Sequence, residues 1–259
     1  MFGWVLSLTG VFLELLILCR ASSSGTLRRY PLFYSYLALV FLADVYRDVV
    51  FFLYGDVALH LPVYRNLYFA TEFLSLLVGY GVILEVTRKS FEPYAGAERF
   101  SRYLVIAIFL AIFGYVGIKT VASAGWAPAT SLRELERDLR AVQALVIAGV
   151  VAIALYYGIE IGRNIGGIML GYGLYTASTV CTLALRSYGG PLALGITFSI
   201  QRYSYLFCLI IWAVALWFYQ PNPVPDTALR LEADYESLVG RTRSVLGSMR
   251  SLLERSARP

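Results

Sequence analysis

The segment Leu42-Ala43-Asp44-Val45-Tyr46-Arg47-Asp48 sets three charges inside an apolar run. Charges in a membrane-length apolar segment are expensive unless they face a bundle interior or a wet cavity. Such residues therefore mark ion pairs, proton relays or ligand sites. Glu72 lies in a second such run and Gln201-Arg202 in the last one. At ~1.5 Å per residue from each predicted outer helix end, Arg47 and Asp48 lie ~9–11 Å deep, Glu72 ~11 Å and Arg202 ~9 Å. Ser178 and Thr179 reach a similar depth, Tyr68 lies slightly above it, and Asp44 is one turn below Asp48. Opposite charges from three helices are thus expected at one level. Two readings are open. The charges form a neutralising network that ties the second, third and seventh helices, or Asp44, Arg47, Asp48, Tyr68, Glu72, Ser178, Thr179, Gln201 and Arg202 line an outward-opening pocket for a small ligand, an ion or protons. Three acids against two arginines leave a formal charge of −1, so the cluster can hold a proton or accept a cation. Glu14 and Glu85 lie nearer the opposite face, where snorkelling to water is the expected outcome.

Other chemistry lacks its residues. The only histidine is His60, in a loop, and the three cysteines, Cys19, Cys181 and Cys208, form no CxxC. A haem held by paired histidines or a His-rich metal site has no ligands here, and no cofactor or metal is expected. The cysteines read as small buried hydrophobes. No Ser/His, His-ligated metal or Gly-Asp dyad pattern marks an intramembrane enzyme, so the chain is read as non-enzymatic.

The elements that must position the cluster follow from composition. In 259 residues, 58% are hydrophobic and only 15% charged, with a mean hydropathy of +0.65. Soluble chains are about a quarter charged, so the fold class is all-α, a polytopic membrane bundle. Crossing a ~30 Å hydrocarbon core needs ~20 mostly apolar residues. Seven runs qualify, at 2–19, 32–54, 65–87, 103–119, 140–159, 165–186 and 196–219. Breakers separate them, among them Gly55 with Pro62, Gly189-Gly190-Pro191 and Pro221-Asn222-Pro223. Ser131-Leu132-Arg133-Glu134 has the form of a capping box, so the fifth helix is expected to begin there, outside the bilayer. The first run lacks the basic n-region of a signal peptide and contains Glu14, which reads as a retained helix.

Orientation follows the positive-inside rule. Fourteen Lys and Arg fall on one side of the seven-span scheme and six on the other. The N-terminus is therefore expected outside and the C-terminus in the cytoplasm, in a multi-pass protein of the cell (inner) membrane. In that setting the net charge of +5 marks cytoplasmic loops, and nucleic acid is not an expected partner. The seventh run has no lysine for a retinal Schiff base. The third has no Asp-Arg-Tyr and the seventh no Asn-Pro-x-x-Tyr, so seven helices alone imply neither a rhodopsin nor a receptor.

The sixth run carries a row of small residues, with Gly167 and Gly171 as a GxxxG and Gly173, Ala177 and Cys181 as a second row. Small rows let helices approach closely in lipid, either within the bundle or between two copies. The chain divides into a bundle at 1–220 and a cytoplasmic tail at 221–259. In the tail, Leu231, Leu238, Val245 and Leu252 recur every seven residues. That spacing predicts an amphipathic or coiled-coil helix that associates with protein or lies on the membrane surface. Expected partners are the lipid bilayer and either further copies or other membrane-protein subunits, met through the sixth helix and the tail.

Tyr68-Phe69-Ala70-Thr71-Glu72, Glu85-Val86-Thr87-Arg88, Phe91-Glu92-Pro93-Tyr94, Arg186-Ser187-Tyr188 and the end of the seventh helix with Trp212, Trp217 and Pro221 resemble a family of uncharacterised bacterial seven-helix membrane proteins. The resemblance implies the fold and carries no activity. Two function classes remain: a sensor module or subunit of a larger membrane complex, and a small transporter or ion-conducting protein that uses the charged cluster.

Overall fold

The computed structural model describes residues 2–55, 62–92, 105–111, 128–188 and 190–222, with isolated positions between 94 and 118 and between 236 and 244. The elements among them are helical: α1 Phe2–Ser24, a 3-10 turn Thr26–Arg28, α2 Pro31–Tyr54, α3 Pro62–Ser90, α4 Pro128–Tyr156, α5 Arg163–Tyr188 and α6 Gly190–Leu216. Among the described residues five stretches are long and apolar enough to cross a bilayer: Val5–Ser24, Val63–Ser90, Glu136–Tyr156, Arg163–Arg186 and Gly195–Leu216. α2 has the length, ~36 Å for its 24 residues. Every eighteen-residue stretch of it contains Asp44, Arg47 and Asp48, and those charges alone set it apart.

Helix ends follow local chemistry. Pro31 starts α2, where a fixed φ suits the first turn and the missing N–H is not needed. The described part of α4 already includes Pro128, so Ser131 lies inside the helix and the expected capping box is not its start. α4 also stops earlier than the apolar run suggests. Gly158 takes φ 65°, the Gly158 N–H donates to the Leu155 carbonyl (3.3 Å) and the Ile159 N–H to that of Ala154 (2.8 Å). This is the paired-bond stop of a left-handed glycine cap, closed by the buried contact of Ile159 near Ala154.

Sequence neighbours are neighbours in space. α1 packs on α2, α2 on α3, α3 on α4 and α5, α4 on α5, and α5 on α6, and α1 closes the ring against α6. The α5–α6 contact is the most intimate, for a reason visible at two glycines. A Cβ at Gly167 would run into the Ala215 side chain, and one at Gly171 into the Trp212 indole. Gly173 faces Ile147 of α4, while Ala177 is exposed. The GxxxG therefore packs within the bundle. Phe33 meets Trp212 edge-on at 5.2 Å, and Tyr36 meets Tyr172 at 5.3 Å, so aromatic edges fill the centre. The outer surface carries large apolar side chains such as Phe52, Leu145, Leu155 and Val63. A water-facing surface would not concentrate such residues.

Of the expected span 103–119, residues 105–111 are helical, Val105 is buried and Phe109 stacks on Tyr80 of α3 at 4.6 Å. The tail positions Leu231, Leu238, Val245 and Leu252 lie outside the described residues.

Candidate functional site

A line of alternating charges crosses three helices. On α4, Arg140 lies one turn after Glu136, and its Nε donates to the Glu136 carboxylate at 3.1 Å. Arg140 Nη2 reaches across to Glu72 Oε1 of α3 at 2.6 Å. The other Glu72 oxygen accepts from Arg47 Nη2 of α2 at 3.4 Å, and Arg47 Nη1 donates to Asp44 at 3.3 Å. Two rings line this path: Tyr175 lies 5.0 Å from the Arg140 guanidinium and Tyr68 4.7 Å from that of Arg47. Arg47 also donates to Thr71 at 3.3 Å. Arg140 is 1% exposed. A guanidinium in such a place is tolerable only because two carboxylates and an aromatic face surround it.

Part of the predicted pocket is assembled here. Asp44, Arg47, Tyr68 and Glu72 come together, and Asp48 stands at the edge, where it accepts from Ser7 of α1 at 2.7 Å and 2.9 Å. Ser178 and Thr179 donate instead to the Tyr175 carbonyl of their own helix, at 2.9 Å and 2.8 Å. Gln201 accepts from Arg186 at 3.0 Å, in a separate contact between α5 and α6 that includes Thr197. Arg202 is exposed and takes no part in the line. The inward stripe of α6 runs through Thr197, Gln201, Tyr205, Cys208 and Trp212, and Arg202 falls off it. A depth counted along the sequence says nothing of direction around the helix. Glu72 is partnered by Arg140, the first residue of the expected fifth span, 140–159. The Glu136-x-x-x-Arg140 spacing immediately before an apolar run was the available signal.

The two acids expected to snorkel are both buried. Glu14 is 0% exposed, and Tyr205 Oη of α6 donates to its Oε1. Its Oε2 has no partner, and Asp44 and Asp48 lie within electrostatic reach. Glu85 of α3 accepts from the backbone N–H of Phe33 at 2.9 Å and from that of Leu32. These are free N–H groups in the first turn of α2, whose N-cap residue Tyr30 supplies no side-chain cap. Glu85 thus caps α2 from a neighbouring helix and meets the positive end of its dipole. A proline start after an aromatic residue was the only sequence hint.

Several further polar contacts had no marker in the apolar pattern. Asn164 donates to the Ala215 and Phe218 carbonyls (2.8 Å and 2.9 Å) and accepts from the Gln220 N–H at 2.6 Å, which closes the end of α6. Arg163 and Arg20 donate to the carbonyls of Val214 and Trp217 at 2.9 Å and 3.1 Å. Gln143 donates to the Leu76 carbonyl at 3.2 Å and accepts from Tyr172 Oη at 3.3 Å. Gly79 leaves the room for that hydroxyl. Among the described residues no group of three His, Cys, Asp or Glu is arranged to hold a metal. Cys208 is buried, as a small hydrophobe should be, but Cys19 and Cys181 are exposed. Comparison with known proteins finds no matching family, no similar curated protein and no similar solved structure.

Proposed function

We propose that this chain is a non-enzymatic integral membrane protein that works as a sensor module or as a subunit of a larger membrane complex. In this reading it crosses a bacterial cell membrane seven times, with its N-terminus outside and the tail from residue 221 in the cytoplasm. One observation carries the proposal: both oxygens of Glu72 are engaged by the protein's own guanidiniums, Arg140 and Arg47. The Glu72 carboxylate is thus occupied by a tie between helices. The end of α6, clamped by Asn164, Arg163 and Arg20, leads directly into the tail. That arrangement suits a bundle whose internal ties set the position of a cytoplasmic helix.

Purification of the full chain in mild detergent tests the proposal. A stoichiometric membrane-protein partner, lost when the chain is cut after Gln220, is the expected result. A lone monomer carrying a bound solute would overturn the reading in favour of a small transporter. For the topology, cysteines at Ser23 and Ala58 in a cysteine-free background should be protected from and open to an impermeant reagent, respectively. The reverse pattern overturns the orientation.

A further inference from the structure

We infer that Glu14 is the inner end of a proton-entry line that runs from Asp48 past Asp44 into the bundle. The inference is independent of the subunit reading, because it concerns what the buried carboxyl binds and not what the chain assembles with.

The first ground is a count of charges. Glu14, Asp44, Asp48, Glu72 and Glu136 are electrostatic neighbours, linked through one another, and the guanidiniums among them are those of half-buried Arg47 and buried Arg140. Both guanidiniums are engaged by Glu136, Glu72 and Asp44. Neither forms an ion pair with Glu14. An ionised carboxylate without a counter-charge is among the costliest groups to bury, and a proton removes that charge.

The second ground is geometry at the carboxyl. Oε1 accepts from the Tyr205 hydroxyl, so that edge is occupied by a donor. Oε2 has no partner in a residue that is 0% exposed. The Tyr36 hydroxyl, in a residue 1% exposed, is likewise unpartnered and within electrostatic reach of Tyr205. A proton on Oε2 turns an idle acceptor into a donor. A metal cation suits the place poorly, since no three acids of the described residues share a metal-holding arrangement.

The third ground is the approach. Asp48 is half-buried and bonded to Ser7, the Asp44 side chain one turn further in is 28% exposed, and Glu14 is fully covered. Both aspartates interact with Glu14. The groups that face Glu14 are therefore Asp44 and Asp48 from α2 and Tyr205 from α6. The 3-10 turn, the remaining element against α1, contributes only Arg28, which is exposed. Two half-buried carboxyls leading to a fully covered one, with hydroxyls beside them, form the kind of relay through which protons move in membrane proteins.

Infrared difference spectroscopy on the full chain in liposomes reads this directly. The wild-type protein should show the carbonyl stretch of a protonated carboxyl, which Glu14→Gln removes. Tyr205→Phe should shift the band, because the hydrogen bond to Oε1 is gone, and this variant keeps the test decisive if Glu14→Gln fails to fold. On transfer to D2O, Asp48→Asn should slow deuteration of the band by roughly 100-fold, the scale of a well-placed proton-transfer group. A band that is absent from wild type at every pH tested, or that persists in Glu14→Gln, overturns the site. Unchanged exchange in Asp48→Asn overturns the line. A band that vanishes in sodium buffer and returns in potassium assigns the site to a metal cation and overturns the proton.

Discussion

Glu72 and Glu14 are two glutamates at comparable depth with opposite surroundings. Counted from the first residue of its helix, Glu72 lies ~15 Å along α3 and Glu14 ~18 Å along α1. Glu72 receives one guanidinium on each oxygen, from two other helices. Glu14 receives a phenol on one oxygen and nothing on the other, and its charged neighbours are acids. Burial alone therefore does not assign a role to an intramembrane acid. What decides it is the sign of the groups that converge on it. Glu72 is a structural tie whose loss takes one carboxylate from each of two cations, while Glu14 is a carboxyl that the surrounding bundle can do without as a charge.

The largest expected effect breaks the tie. Glu72→Gln leaves Arg140 buried with one carboxylate fewer and Arg47 with Asp44 alone. Removal of one partner from a buried pair typically costs ~3–5 kcal/mol, and thermal unfolding in detergent should register a loss of that order. The double variant with Arg140→Gln should be less destabilised than the sum of the two single variants, since it strands fewer charges. Strictly additive losses would show that Glu72 and Arg140 are not coupled.

A third acid sharpens the contrast. Glu85 has neither arginines nor a phenol; its partners are backbone N–H groups of α2. Glu85→Ala should cost ~1–2 kcal/mol, the range for loss of a helix cap with its dipole interaction. Hydrogen exchange should quicken first at Leu32 and Phe33. Exchange that is unchanged there while global stability falls would mean that Glu85 acts through packing and not as a cap.

These three acids also show how far the sequence was legible. Apolar run lengths placed the six long helices of the described residues, because crossing a bilayer demands length and composition that few other needs impose. The glycine row of α5 could be read for close packing, since only the absence of a side chain admits Ala215 and Trp212. Partners between helices could not be read. Counting residues yields a level along the axis, while pairing depends on azimuth, so Arg202 and Arg140 were exchanged. Glu14 and Glu85 were expected to reach water because a position near a helix end permits it. Whether it happens depends on which neighbour covers that face, here α6 for Glu14 and the start of α2 for Glu85.

The reverse test of the comparison is Glu14→Gln. The amide keeps an acceptor for Tyr205 and removes an ionisable group that faces Asp44 and Asp48. Stability should change by no more than ~1 kcal/mol, since a neutral hydrogen bond replaces a neutral or charge-assisted one of similar geometry. A loss as large as that of Glu72→Gln would place an unseen counter-charge on Glu14 and dissolve the distinction between the two sites.

The smallest effect is expected at Arg202, and it checks the azimuth argument itself. Counting along the sequence sets Arg202 at the level of Glu72, which in the structure pairs with Arg140. If depth governed pairing, either could neutralise it. Arg140 is buried and bonded to Glu72 at 2.6 Å, whereas Arg202 is exposed beside the inward stripe of α6. Substitutions at exposed positions without such contacts fall within ~0.5 kcal/mol, so Arg202→Gln should leave the unfolding midpoint nearly unchanged. Combined with Glu72→Gln, it should add nothing to the loss already caused there. A clear non-additive coupling between Arg202 and Glu72 would mean that α6 turns its Arg202 face inward, and the ion-pair line would then extend to the helix that leads into the tail.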